Sequence, residues 1–345
     1  MTVRTASFSV LLLLLCLPTA GCNRSDGDAA GGGGTWRIAV IPKGTSHDFW
    51  NNVEAGARRA DEEFDDLTVT WKGPLTEEQA SEQIKTVDNF IVDGYDGICL
   101  APLDANALRG PVERALAADI PVVIFDSALA SDEGTVSYVA SDNRRGGELA
   151  GEYLAELLDG QGKVILLRYQ INSASTEARE QGFLDVMAKF PEIELISDNQ
   201  YGGPDEAAAI EKATNLLQNF GDEVDGIFCP NESTTSGMLI ELRRSKPGRV
   251  GEIKFVGFDA GENLIDGLEN GHLHGTVLQD PVQMGYEAVR VMREHLLGER
   301  IDPRIPTRLH VAKYDDLDNP VTVELLRPRQ NHSLLQKLQE PTARE

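Results

Sequence analysis

Ile38-Ala39-Val40-Ile41-Pro42-Lys43-Gly44-Thr45-Ser46-His47-Asp48-Phe49-Trp50 is an apolar run of strand length, closed by a proline and followed by a polar, glycine-containing loop. Two adjacent aromatics then open a helical pattern at Asn51-Asn52-Val53-Glu54. A strand, a loop and a helix in this order form the first half of a βαβ unit, and open parallel sheets bind ligands just beyond the carboxyl ends of their strands. The loop is therefore placed to present Phe49 and Trp50 to a ligand.

The same alternation continues along the chain. Val53, Ala57, Ala60 and Phe64 recur at helical spacing over 51–64, and Leu67 to Trp71 reads as a strand. Thr76-Glu77-Glu78-Gln79 has the pattern of a helix N-cap with Gln three residues on, opening a helix that carries Ile84, Val87 and Ile91 and stops at Gly94. Gly97–Ala101 and Pro121–Phe125 are further strands, with a helix over Ala105–Ala118 between them. The pattern then restarts. Strands are expected at Lys163–Leu167, Ile193–Ser197, Gly226–Cys229 and Ile253–Phe258, and helices at Thr176–Phe190, Asp205–Phe220 and Thr234–Arg244.

The two passes match in detail. Asp96-Gly97-Ile98-Cys99-Leu100-Ala101-Pro102 parallels Asp225-Gly226-Ile227-Phe228-Cys229-Pro230-Asn231, and Ile120–Asp126 parallels Ile253–Asp259. Arg37–Ile41 parallels Lys163–Leu167, and each pair is about 130 residues apart. Three matches in one order indicate two α/β lobes of one design, their ligand-binding edges facing a shared cleft. Extended segments at Thr135–Asn143, Gly275–Asp280 and Pro303–Lys313 read as three crossings between them. The expected lobes are 36–141 with 280–308, and 142–279 with 309–326. A polar tail over 327–345 is expected to hold little fixed structure.

The first residues form a targeting segment. Arg4 precedes the apolar run Val10–Leu17, which is too short to span a bilayer, and Leu17-Pro18-Thr19-Ala20-Gly21-Cys22 places small residues before a cysteine. This resembles the bacterial lipobox and implies cleavage after residue 21 with a lipid on Cys22. The alternative is an ordinary signal peptide with a chance cysteine. Residues 22–35 include Gly31-Gly32-Gly33-Gly34 and read as a flexible tether. The folded part is then expected in the cell envelope, held to a membrane by lipid alone.

The net charge of −24, from 56 acidic against 32 basic residues, argues against nucleic-acid binding. Cys99 and Cys229 lie in apolar strands of different lobes and read as two buried thiols. His272-Leu273-His274 has a spacing that can hold a metal on a strand, but it lacks further Cys/His partners in sequence and reads as surface histidines. No cofactor is called for. No Gly-x-Gly-x-x-Gly follows a strand, and neither a P-loop nor a nucleophile elbow is present. A glycoside-processing enzyme using Asp126 and Asp259 as paired carboxylates is the remaining enzymatic alternative. A repressor on the same core would need a basic helix-turn-helix where the signal segment stands.

Taken in order, several segments resemble the bacterial sugar-binding proteins of the ribose-binding type, the substrate-capturing subunits of ABC importers. They are Ser46–Trp50, Pro121–Asp126, Ala140-Ser141-Asp142-Asn143 with Gly146-Gly147, Ala178–Phe183, Pro230-Asn231-Glu232, Val256–Asp259 and Leu278–Pro281. The resemblance covers about Trp36 to Lys313. It implies the type I periplasmic-binding-protein fold, two Rossmann-like lobes with parallel sheets joined by three hinge crossovers, closing as a monomer on a sugar or polyol. By position it implies that Phe49 and Trp50 pack on the sugar ring and that Asp126 takes two hydroxyls. Asn231, Asp259 and Gln279 would be polar contacts from the second lobe and hinge. His47 stands where an asparagine is common, Ser127 where an arginine is common, and Glu177 falls on a second arginine position with Arg179 two residues later. Tyr201 falls near a family aromatic. The implied partner is an ABC permease, with a membrane sensor kinase as the alternative.

The lipid assignment is checked directly. Cys22→Ser is expected to move the protein from the membrane to the soluble fraction and to abolish its labelling by fatty acid.

Overall fold

The computed structural model describes residue 2 and residues 35–328; the signal segment, most of the tether and most of the tail lie outside the described residues. The first half runs β1 (Trp36–Ile41), α1 (Asp48–Glu63), β2 (Leu67–Trp71), α2 (Ala80–Val92), β3 (Gly97–Leu100), α3 (Arg109–Ala117), β4 (Val122–Phe125) and β5 (Ser137–Ser141). The second half runs α4 (Asn143–Leu157), β6 (Gln161–Arg168), α5 (Ala174–Met187), β7 (Glu192–Tyr201), α6 (Glu206–Phe220), β8 (Gly226–Phe228), α7 (Glu232–Ser245), β9 (Lys254–Phe258), α8 (Glu262–Glu269) and β10 (Gly275–Gln279). The chain finishes with α9 (Pro281–Leu296), β11 (Arg304–Thr307), β12 (Leu309–Lys313) and α10 (Pro320–Leu326).

These strands form two six-stranded sheets, ordered β11-β5-β4-β3-β1-β2 and β12-β10-β9-β8-β6-β7. All pairings are parallel except β10 with β12. Period-two alternation decides which layer each side chain joins. Ile38, Val40, Cys99, Val123 and Phe125 face the layer of α1 and α9. Their neighbours Ala39, Ile41, Ile98, Val122 and Ile124 face α2 and α3. The second sheet divides likewise, with Ile165, Leu167 and Phe255 on one face and Val164, Leu166 and Val256 on the other. Strands buried on both faces appear as continuous apolar runs, as they do here. Cys99, in β3, and Cys229, just after β8, are buried free thiols in separate core clusters.

The chain passes between sheets after β5, after β10 and at Arg308 between β11 and β12. At the first two crossings an aspartate caps the helix that follows. Asp142 accepts from the Arg145 N–H at 3.0 Å, and Asp280 from the Gln283 N–H at 2.9 Å. Arg308 at the third crossing donates Nε to Asp280 at 2.8 Å, which ties two crossings together.

Several expected elements differ in detail. The helix expected from the Thr76 cap begins at Ala80 with no side-chain cap, because Glu77 is drawn into the cleft instead. The strand expected at Ile193–Ser197 extends over the whole of β7, and the single strand expected at Pro303–Lys313 is two. His272 and His274 lie in the turn before β10 rather than on a strand. His272 accepts from Arg243 Nε at 3.0 Å and His274 from the Phe255 N–H at 3.2 Å.

Helices within each lobe meet through glycines. A Cβ on Gly56 would stand 2.0 Å from the Val282 carbonyl oxygen of α9, and one on Gly147 would stand 1.8 Å from the Arg179 carbonyl oxygen of α5. Gly147→Ala is expected to destabilise the fold by about 3 kcal/mol, since the obstacle is backbone and cannot turn aside. Gly248→Ala, with open space at its Cβ, should stay within about 0.5 kcal/mol in the same denaturant titration.

Candidate ligand-binding site

In both sheets the first strand, β1 or β6, lies between its second and third strands, so the order reverses there and leaves a crevice at its carboxyl end. The two crevices face each other across one cavity of about 330 Å³, mouth included. The first lobe brings Lys43, His47, Phe49, Trp50, Glu77 and Asp126 to it. From the second lobe and the hinge come Tyr169, Ser175, Thr176, Arg179, Asn231, Glu232, Asp259 and Gln279.

The sequence-predicted residues His47, Phe49, Trp50, Asp126, Arg179, Asn231, Asp259 and Gln279 are thus brought together. Phe49 and Trp50 stand edge to face, with centroids 4.9 Å apart, and Trp50 packs in turn on Phe125 at 6.3 Å. The pair belongs to the core of its lobe and to the cavity wall at once. Asn231 caps α7, its Oδ1 accepting from Thr234 Oγ1 at 2.6 Å. Asp126 and Asp259 end β4 and β9 with φ of 59° and 68°, left-handed values that aspartate tolerates better than most residues. Each backbone N–H bonds the neighbouring strand, to Val139 at 3.0 Å and to Val277 at 2.8 Å. The two lobes therefore aim the same residue type with the same backbone turn.

Two predicted residues do not reach the cavity. Because α5 starts at Ala174, its inward face carries Ser175, Thr176, Arg179 and Glu180, while Glu177 points to solvent and accepts from the Asn172 N–H at 2.7 Å. Tyr201 ends β7, the edge strand of its sheet, and is 37% exposed.

Sequence reading overlooked Lys43, Glu77, Glu232 and Ser175 as site residues, and left Tyr169 and Thr176 unassigned. Glu77 accepts from Trp50 Nε1 and Tyr169 OH, each at 2.7 Å, and pairs with His47 Nδ1 at 3.0 Å. Lys43 pairs with Asp126 at 3.2 Å and donates across the cleft to Ser173 and Ser175 at 3.3 and 3.0 Å. Glu232 reaches from the second lobe to the N-terminus of α1, accepting from the N–H groups of Asp48 and Phe49 at 3.2 and 2.9 Å. The lobes are closed on one another through these contacts. The signal for Lys43 and Glu232 was position alone, since Lys43 lies in the loop after β1 and Glu232 opens the helix that follows β8. Glu77 was hidden by a plausible capping pattern.

Arg179 lies 3.9 Å from the centre of the Phe258 ring. It donates Nε to Asn143 at 2.8 Å and Nη1 to the Pro230 carbonyl at 2.9 Å, and stands 3.7 Å from Asp259. Gln279 Nε2 donates to Asp259 at 2.8 Å.

A family model described as "Periplasmic binding protein domain" matches residues 38–300. The chain belongs to the periplasmic binding proteins of the ribose-binding type. Among similar proteins, a D-ribose/D-allose-binding protein from Pseudomonas aeruginosa is 28% identical over 271 residues, 76% of this chain and 83% of that protein. A solute-binding protein of an ABC transporter from Agrobacterium vitis, solved with bound D-fucose, is 31% identical with a TM-score of 0.79, covering 84% of this chain and 99% of that one. The periplasmic component of an ABC-type sugar transport system from Hahella chejuensis is 33% identical with a TM-score of 0.77, covering 80% and 99%. These are binding proteins of transport systems, not enzymes.

Burial works against charge on both members of the His47–Glu77 pair, and their hydrogen bond and mutual attraction outweigh it. His47 is raised from 6.5 to about 9. Glu77 is lowered from 4.5 to about 2. A histidine raised by folding stabilises fully below its ordinary value and loses that contribution as pH climbs through about 9. A lowered carboxyl stabilises above its ordinary value and loses it as pH falls through about 2. The pair's contribution is therefore complete between about 4.5 and about 6.5 and declines on either side. An NMR titration should find His47 with a midpoint near 9; in Glu77→Gln that midpoint should drop well below 9, because burial persists while the nearest of its counter-charges is gone and only Glu232 and Asp259 remain.

Proposed function

We propose that this periplasmic binding protein captures one sugar or polyol between its lobes and delivers it to an ABC permease, working as a monomer from a lipid anchor at Cys22. The observation that carries the reading is the division of one polar, aromatic-walled cavity between two lobes. Phe49 and Trp50 offer faces suited to the C–H side of a sugar ring. Asp126, Arg179, Asp259 and Gln279 offer hydroxyl partners. Because donors and acceptors come from both lobes, the ligand's free energy is realised in full only on closure, and closure is the change a permease reads.

Isothermal titration against a panel of pentoses, hexoses and polyols is expected to give binding at one site, with a decrease in radius of gyration by X-ray scattering. Trp50→Ala should weaken that binding by about 100-fold, the equivalent of about 3 kcal/mol of stacking and burial. Absence of binding across the whole panel would refute the ligand class.

A further inference from the structure

The carboxylates of the cavity differ in how they are balanced. Asp126 faces Lys43, whose three N–H groups go to Asp126, Ser173 and Ser175. Glu77 has His47, Trp50 and Tyr169. Glu232 feels the charge of His47, which is itself bonded to Glu77, and the hydrogen bonds its carboxylate makes among the described residues come from two backbone N–H groups. Asp259 accepts from Gln279 Nε2 and from the Glu232 N–H at 3.2 Å, with Arg179 further off and already directed at Asn143 and Pro230. Burial pushes Glu232 up to about 7, with repulsion from Asp259 adding to it, and pushes Asp259 above its ordinary value, with repulsion from Asp126 adding to it. Beside them Gln279 is 3% exposed and its Oε1 has no hydrogen-bond donor among the described residues. Buried carboxylates and a buried amide oxygen in this state require donors, and a positive donor best of all.

Within the reading of the cavity as a sugar or polyol site, we infer that the ligand carries a protonated amine, as an amino sugar or aminopolyol does, and that its ammonium is held by Glu232, Asp259 and Gln279 Oε1. An ammonium supplies three donors and a positive charge where a hydroxyl supplies one donor and no charge. It meets three acceptors at once. The ring or chain of the ligand then lies toward Phe49 and Trp50, and its remaining hydroxyls toward Asp126 and Ser175. The other charged groups around this corner are His47 and Asp48 beside Glu232, and Arg179 and Asp126 beside Asp259. His47, at about 9, keeps its charge through neutral pH, so the carboxylates are the groups that respond to an arriving cation.

The test pairs each amine with its hydroxyl parent on the purified full chain: D-glucosamine against D-glucose, D-galactosamine against D-galactose, and aminodeoxysorbitol against sorbitol. Calorimetry in two buffers of different ionisation enthalpy, at about pH 6, is expected to show at least one amine binding about tenfold or more tightly than its parent, with net proton release. Below the Glu232 value of about 7 that carboxyl is mostly protonated, and a cation displaces its proton. The ratio of amine to parent affinity should fall toward one in Glu232→Gln and in Gln279→Leu; if either variant fails to fold, the wild-type ratio and proton release decide alone. Parents binding as tightly as their amines, or amines binding without proton release, would overturn the amine assignment and leave the sugar site standing. Binding by neither class would overturn both.

Discussion

Glu77 is the group on which the closed cleft depends most. Its carboxylate holds His47 and the Trp50 indole from its own lobe and the Tyr169 hydroxyl from the other. A buried carboxylate is costly unless paired and hydrogen-bonded, and this one has both kinds of partner. The three groups are thereby fixed in orientation in the closed cleft. Trp50 owes the direction of its ring to that bond as much as to its packing on Phe49 and Phe125. Glu180 supports the opposite side, accepting from the Tyr169 N–H at 3.0 Å.

Closure uses a second device of the same kind. Glu232, at the start of α7, offers its carboxylate to the first N–H groups of α1. A helix N-terminus without side-chain caps has unsatisfied donors and a partial positive charge, and His47 at the N-cap of α1 makes no side-chain capping bond. The cap for α1 is thus supplied by the other lobe. Lys43 acts in the reverse direction, from the first lobe to Ser173 and Ser175 of the second. Closing the lobes completes bonds that each lobe leaves unfinished, so the closed form is selected by local hydrogen-bond satisfaction as well as by the ligand.

The duplicated design explains why so much of the site comes from equivalent places. Asp126 and Asp259 end the fourth strands of their lobes in the same left-handed turn. The departures from symmetry carry the individuality of the cleft. Asp126 is balanced by Lys43, whereas Asp259 has Gln279 and a more distant Arg179. Chemical discrimination is therefore expected to sit mainly on the second-lobe side.

The amino-acid sequence by itself determined the two-lobed α/β architecture, because apolar runs buried on both faces, helical periodicity and a repeat of about 130 residues are local or regular signals. It also indicated where Asp126 and Asp259 stand, directly after their strands, and where Phe49 and Trp50 stand, at the start of the helix that follows the first strand. Only the tertiary structure decided the charge balance. Glu77 matched a helix cap in sequence, yet α2 begins after it, and its partner Tyr169 stands 92 positions away. Glu177 and Arg179 are two residues apart, but a period of 3.6 residues sends one to solvent and the other inward. Tyr201 lost its place because β7 proved to be an edge strand. Pairing across a cleft depends on distances in space, and those are set by how two separately folded lobes meet, which no local pattern records.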